Sequence, residues 1–193
     1  MARTLTLALA LAALALPLDA RATVVKAATF EELSAIVPVI VRGRVVAQQS
    51  RWDDAHRRIQ TFTELQVTET LKGRVGPTIL VRQPGGIVGD IGQHVSGAAR
   101  FELGDDVVLF LEHPGDDPNG FIVSGLAAGK VLLKRNALGE LRAERDLRGI
   151  AFYAVGHDAR PVVRDVHNVE DLGTAEQFLA RIRAAVKKTG AAR

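Results

Sequence analysis

The chain contains no cysteine and only one tryptophan, one tyrosine and one methionine. Without cysteine there is no disulfide framework, no thiolate zinc site, no cysteine nucleophile and no lipidated N-terminal cysteine. Aromatic residues make up 5% of 193 residues, too few for the stacking platforms that a single-stranded nucleic-acid groove requires. Charge of one sign is scarce as well: 25 basic residues face 22 acidic ones, a net +3. So small an excess does not call for a polyanionic partner. What the chain has in quantity is apolar material, 47% against 24% charged, the balance of a folded domain rather than a disordered tail. Its length suits one domain, or at most two small ones.

The first segment reads as an address. Met1-Ala2-Arg3 is a short positive end, Leu5 to Leu18 is apolar apart from Thr6 and Pro17, and Ala20-Arg21-Ala22 offers small residues at the two positions a signal peptidase reads. These are the three parts of a secretory signal, and the apolar run is shorter than the ~20 residues a spanning helix needs. Residues 1–22 are therefore expected to be removed, giving a soluble periplasmic or secreted product with no stable membrane anchor, since no later run is long and apolar enough.

The middle of the chain has the period of strands. Thr29-Phe30-Glu31-Glu32 has capping-box spacing, so a short helix opens there and ends at Pro38. From Val39 to Ala47 one alternate set is Val39, Val41, Gly43, Val45 and Ala47, with Arg42 and Arg44 on the other face. Ile59, Thr61, Thr63, Leu65, Val67 and Leu71 again share one face, opposite Arg58, Gln60, Glu64, Gln66 and Lys72. Period 2 with β-branched residues predicts a long strand here. Thr78 to Gln83 is a third strand, and Val107 to Leu111 is a continuous apolar run, as in a strand buried on both faces. Phe121 to Val123, Val131 to Leu133 and a short segment near Leu141 complete the set, bounded by Gly and Pro turns.

The C-terminal part changes period. Thr174-Ala175-Glu176-Gln177 repeats the capping spacing, and Phe178, Leu179, Ile182, Ala185 and Val186 form a helical stripe with Arg181, Lys187 and Lys188 away from it. The chain accordingly divides into residues 1–22, a signal peptide; 23–143, a β-barrel domain; and 144–193, an extension with a helix at about 174–188. The predicted fold is mainly β: a small OB-like Greek-key barrel, with a short helix before it and an amphipathic helix after it. An open β-sandwich gives similar signals and is the runner-up.

The order of these pieces resembles the netrin-like OB-fold domains, of which the tissue inhibitors of metalloproteinases are familiar members: a long strand ending in Leu71-Lys72-Gly73, a strand, a long loop, then Gly104 before a buried strand. The similarity spans roughly Val37 to Arg135. The whole run also resembles a family of exported bacterial proteins of unassigned activity, through Val41-Arg42-Gly43-Arg44-Val45, Leu71-Lys72-Gly73, Pro84-Gly85-Gly86, Gly104-Asp105 with Val107 to Leu111, and Gly125 to Lys130. The resemblance implies a fold. The inhibitors hold the protease zinc through an N-terminal cysteine, which this chain lacks, so none of their inhibitory residues carries over.

Candidate chemistry is thin. His56, His94, His113, His157 and His167 contain no i, i+4 pair, so no metal site is expected. Asp116-Asp117-Pro118-Asn119-Gly120 lacks the alternate oxygen ligands of a calcium loop and reads as a turn. Asp90, His94 and Ser96 are the one constellation suited to nucleophilic catalysis, but the serine has no G-x-S-x-G elbow. No cofactor is called for. The glycines Gly86, Gly89 and Gly92 open no helix, so they read as loop residues rather than a phosphate cradle.

What remains is Trp52, set among charges in a predicted 48–57 connection beside Arg51. Either it packs against the barrel end or it is an exposed anchor; Trp and Arg are enriched where interfaces are energetically strongest. With Gly85 and Gly86 of the 84–97 loop, Arg51 and Trp52 make the expected binding site, on loops that a compact scaffold holds. The expected function is a non-enzymatic binding or accessory module acting on another exported protein, with no nucleic acid involved. The alternative is an extracytoplasmic hydrolase or metal-dependent enzyme using Asp90, His94 and Ser96. The address makes the first prediction: mass spectrometry of protein recovered from the extracytoplasmic fraction will find Thr23 at the N-terminus. An intact Met1, or retention in the membrane, refutes it.

Overall fold

The computed structural model describes residues 23–155, 161–166 and 168–191; the predicted signal segment lies outside them. In chain order the elements are β1 (Thr23–Lys26), α1 (Phe30–Ile36), β2 (Val39–Trp52), β3 (Ile59–Lys72), β4 (Thr78–Pro84), β5 (Gly86–Val88), β6 (Ile91–Gln93), β7 (Asp106–Glu112) and β8 (Phe121–Val123). A 3-10 turn (Leu126–Gly129) leads to β9 (Lys130–Arg135), β10 (Leu141–Asp146), β11 (Ile150–Val155), β12 (Pro161–Val166), β13 (Val169–Thr174) and α2 (Ala175–Ala191).

The period-2 patterns build β2 and β3, each 14 residues long and paired antiparallel from Ile40↔Lys72 to Trp52↔Ile59. β4 adds antiparallel to β3, and β8 then pairs in parallel with β4 at Val81↔Phe121 and Arg82↔Ile122. β8 also pairs with β7 at Leu111↔Val123, and β7 returns to β2 from Val39↔Leu111 to Arg44↔Asp106. The ring β2-β3-β4-β8-β7 is closed, with the strand number and mixed pairing of a small Greek-key barrel of the OB type. That closure decides for the barrel over the open sandwich.

β7 shares its second edge. Leu111 and Glu112 go to β8, whereas Asp106 to Leu109 pair with β9, from which β10 and β13 extend the sheet beyond the barrel. β1, β11 and β12 form a separate three-stranded sheet. β10 runs across residues 143 and 144 and pairs with β13, so strands as well as a helix occupy the C-terminal stretch.

Two apolar layers explain the continuous run in β7. Val107, Leu109 and Leu111 point into the barrel with Val41, Val45, Leu65 and Val81, while Val108 and Phe110 point outward beneath the two helices. There Phe30 of α1 meets Phe110 at 5.4 Å and Phe178 of α2 at 5.0 Å, the latter edge-on. Both helices carry the predicted capping box: Thr29 and Glu32 exchange bonds at the start of α1, and Thr174 and Gln177 do so before α2. The inward positions of α1 are Phe30, Leu33 and Ser34, with Val37 after it, so Ile36, apolar but on the other side of the helix, is 71% exposed.

Lys72 ties the first helix to the barrel: its Nζ donates to the carbonyl oxygens of Ser34 (2.7 Å) and Ala35 (3.1 Å), two of the acceptors a helix C-terminus leaves without partners. Gly73 follows at φ 82°, with Pro38 O only 2.6 Å from where a Cβ would stand. The Ser34 hydroxyl, by contrast, is fully buried and has no hydrogen-bond partner among the described residues. A buried polar atom without a partner costs ~1–3 kcal/mol. Ser34→Ala will therefore raise stability by about 1 kcal/mol in denaturant unfolding; a loss of stability would show that the hydroxyl is satisfied.

Candidate functional site

The polar end of the barrel begins with an irregularity in β2. The register with β3 shifts between Val45 and Ala47, so one residue there has no opposite number. Before it, Val39, Val41, Gly43 and Val45 face the interior; after it, Gln48, Ser50 and Trp52 do, opposite Thr63, Thr61 and Ile59. A bulge of one residue exchanges the faces of everything that follows. The simple alternation drawn through Ala47 fails at this point, and Ala47 is exposed.

The inward polar residues bind one another. Gln48 Nε2 donates to Thr63 Oγ1 (3.2 Å), whose hydroxyl donates to Gln83 Oε1 (3.4 Å), and Gln83 Nε2 donates to the Ala99 carbonyl (2.6 Å). Beside this chain, Ser50 and Thr61 share a 2.9 Å hydroxyl contact and Thr61 Oγ1 donates to the Gly85 carbonyl (2.7 Å). Thr63 and Gln83 are buried, so the bonds satisfy groups that water cannot reach.

Pro84-Gly85-Gly86 brings the next segment onto this layer. Gly85 and Gly86 have φ of 90° and 136°, and a Cβ on Gly86 would collide with the Ser50 and Thr61 hydroxyls. β5 and β6 then form a small hairpin within the predicted 84–97 loop, closing at Gly86↔Gln93. Gln93 fastens it: its Oε1 accepts from Ile59 N (2.5 Å) and its Nε2 donates to Arg57 O (3.2 Å). Ile87 and Ile91 stand 72% and 53% exposed on the hairpin. Between β2, the hairpin and residues 98–101 lies a cleft of about 690 Å³, lined by Gln48, Gln49, Ser50, Gln83, Gly85 and Gly86 among others.

The structure places the four sequence-predicted binding residues as follows. Gly85 and Gly86 line the cleft. Arg51 and Trp52 are the last two residues of β2, not part of a 48–57 connection; the connection is residues 53–58. Being consecutive in a strand they point to opposite faces. Arg51 stacks its guanidinium over Phe62 at 4.0 Å, away from the cleft. Trp52 does not line the cleft itself; it shares the strand face of Ser50, opposite Ile59, half-buried and stacked on His56 with ring centroids 6.1 Å apart. Asp53 organises the turn below it: Oδ1 accepts from the backbone N–H groups of Arg57 (2.8 Å) and Arg58 (3.2 Å), and the first of these holds its carboxyl below the usual range.

His94 and Ser96 line a second cavity of about 840 Å³, with Glu102, Asp105, Lys130 and Arg148. Ser96 Oγ donates to Gly149 O (2.9 Å), and Asp90 sits exposed at the tip of the β5–β6 hairpin. Lys130 reaches from β9 to the Arg100 carbonyl, to Asp105 (3.3 Å) and over the Phe101 ring at 4.6 Å. Burial lowers its amine from the ordinary lysine range, against the pull of Asp105. The acidic run at 116–120 is a turn: Asp117 Oδ1 accepts from the N–H groups of Asn119 and Gly120, and Asp116 holds Arg82. No group of three or more His, Cys, Asp or Glu is placed to hold a metal among the described residues, which leave out His157 and His167. Likewise no described helix is long and apolar enough to cross a membrane.

Sequence reading missed Gln48, Ser50, Thr61 and Gln83 as site residues. For Thr61 and Gln83 the signal was present: polar residues at positions where Leu65, and Ile79 with Val81, set an apolar alternation. Gln48 and Ser50 fall on the polar side of the alternation through Ala47 and face inward only because of the register shift. No known family model and no curated protein matches the chain.

Gln83 is the keystone of the cleft floor. Gln83→Ala leaves the Thr63 hydroxyl and the Ala99 carbonyl without their partner, and is expected to cost about 2 kcal/mol. Denaturant unfolding checks it; a change within ~0.5 kcal/mol, the range of ordinary surface substitutions, would show that the layer contributes no stability.

Proposed function

We propose that the chain is an exported, non-enzymatic binding module that acts on another extracytoplasmic protein through the cleft between β2 and the β5–β6 hairpin. The observation that carries this reading is the cleft's make-up. Its floor is amides, hydroxyls and glycine backbone, and the exposed Ile87 and Ile91 stand on the hairpin that forms its wall. Neutral hydrogen-bonding groups beside aliphatic surface suit recognition of a polypeptide, and no carboxylate or thiol lines the cleft to form an acid–base or nucleophilic pair with His94. The tripartite N-terminus supports export, and the β2-β3-β4-β8-β7 ring is a small β-barrel, the general fold that the resemblance implies.

The hydrolase reading has less support. The Ser96 hydroxyl is engaged by the Gly149 carbonyl, and Asp90 lies at a hairpin tip while His94 and Ser96 line the cavity behind it. Trp52 gives the test. Affinity capture from the extracytoplasmic fraction will recover a partner with the wild-type protein. Trp52→Ala will weaken that binding by about 2 kcal/mol, roughly thirtyfold, the scale of an interface anchor, while thermal unfolding shows the fold intact. A stability loss of ~3–5 kcal/mol with unchanged affinity would make Trp52 a core residue and remove it from the site.

A further inference from the structure

β2 is paired on both edges only along its first half. β7 covers Val39 to Arg44, and Val45 exchanges bonds with the loop through Val45 N to Asp105 O and Gly104 N to Val45 O. From Val46 to Trp52 only β3 pairs with β2 among the described residues.

The ladder shows which groups this leaves open. Ile59 turns both backbone groups away from β2: its carbonyl accepts from Gly85 N (2.8 Å) and its N–H donates to Gln93 Oε1. One pair further along, Asp53 N donates to Arg58 O (2.8 Å), a bonded pair. In an antiparallel ladder bonded and non-bonded pairs alternate, so Trp52, Ser50 and Gln48, opposite Ile59, Thr61 and Thr63, direct their N–H and C=O groups out of the free edge. The donors and acceptors recur every second residue, about 6.8 Å apart along the strand.

We propose that this edge, Gln48 to Trp52, is a strand-addition site that takes an extended peptide segment of the partner; the proposal rests on the binding-module reading above. The repeat of paired donors and acceptors every second residue is matched by another extended polypeptide and by few other ligands. Proteins whose sheet edges stay unpaired protect them with Lys, Pro or inward charge. Between Val46 and Ser50 this edge has none, and the one following cation, Arg51, is occupied over Phe62. The cleft runs alongside the same residues, with Gln49 and Ser50 on one side and Ala98, Ala99 and Phe101 on the other. Apart from His94 and Arg100, its described lining carries no titratable side chain. A cationic side chain entering there would lose its hydration without gaining a carboxylate partner, so away from Arg100 the segment presents neutral, small or aliphatic residues to the cleft.

A random heptapeptide phage library supplies the probe. Peptides enriched on the full chain should be neutral and β-branched. Amide hydrogen exchange of the wild-type protein should show the N–H groups of Gln48, Ser50 and Trp52 slowed by the peptide, with Gln49 and Arg51 protected with or without it. Gln48→Pro removes one outward donor and no ladder bond, so it should weaken the peptide about tenfold or more, while Gln48→Ala, which keeps the donor, should weaken it less. If Gln48→Pro does not fold, the exchange measurement on the wild-type protein decides alone. Binding that leaves those three amides unprotected overturns strand addition and leaves the binding module standing. Protection that appears with protein concentration alone assigns the edge to a second copy and overturns the peptide. No enriched peptide and no captured partner overturns both.

Discussion

β7 is hydrogen-bonded along both edges and buried on both faces, and the barrel core and the helix layer are both placed by that. Its inward residues Val107, Leu109 and Leu111 close the barrel core; its outward residues Val108 and Phe110 floor the helices. Each buried side chain of this size contributes ~1.5–3 kcal/mol, and a polar group at any of the five positions would face an apolar layer with no partner. The strand is anchored where it emerges: Asp106 takes a two-point bond from Arg42, Nε to Oδ1 at 3.0 Å and Nη2 to Oδ2 at 2.6 Å. Such a bidentate pair fixes orientation as well as register. Because β7 divides its second edge between β8 and β9, a closed barrel and an open sheet grow from the same strand.

The candidate site follows from β7's length, 7 residues against the 14 of β2. β7 covers β2 only as far as Arg44, so the second half of β2 leaves the barrel wall with one neighbour. The register shift after Val45 then turns Gln48 and Ser50 inward, replacing the valines of the first half by groups that need partners. Thr61, Thr63 and Gln83 meet them on β3 and β4. Hydrophobic closure and a polar mouth are thus successive halves of one hairpin, and a single extra residue separates them.

Much of the scaffold was legible because its signals are local. The alternation from Ile59 marks the long strand, although two register shifts near its end carry Leu71 to the helix layer while Leu65 and Val67 face the barrel. The capping boxes at Thr29 and Thr174 mark both described helices. The bulge was not legible, since Val46 fits a strand on either face and the shift is set by where β3 finds its register. That error hid Trp52's place in the strand and drew the connection too long. β13 was missed for a related reason. Val-Glu-Asp-Leu-Gly-Thr has little apolar alternation, because the strand pairs with β10 along one edge and holds Arg142 and Arg145 through Asp171 and Glu170. Edge strands carry charge, and charge reads as loop. Gly85 and Gly86 stood out as adjacent glycines in a long connection, and they line the cleft; the amides around them were passed over because each, taken alone, looks like an ordinary surface residue.

The motifs that carry the family resemblance do different physical work from the site. Arg42 clamps Asp106, and Gly43 lets β3 come close, with Gln66 O 2.6 Å from where a Cβ would stand. Leu71 packs under the helices, Lys72 caps α1 and Gly73 makes the turn. Asp105 and Lys130 pin the segment around Phe101 to the barrel. All of these hold elements together. Only Pro84-Gly85-Gly86 reaches the cleft, and there it fixes backbone rather than choosing a ligand. In the proposed binding module, ligand choice would fall instead to residues outside every motif: Gln48 to Ser50 along the free edge, and Ile87 and Ile91 on the hairpin. Gln48 and Ser50 are tied to Thr63 and Thr61, whereas Gln49, Ile87 and Ile91 are exposed and make no described side-chain bond that holds the barrel. A chain could keep the resemblance intact while changing what it binds, which is why the recurring pieces speak to fold and the cleft has to be read on its own chemistry.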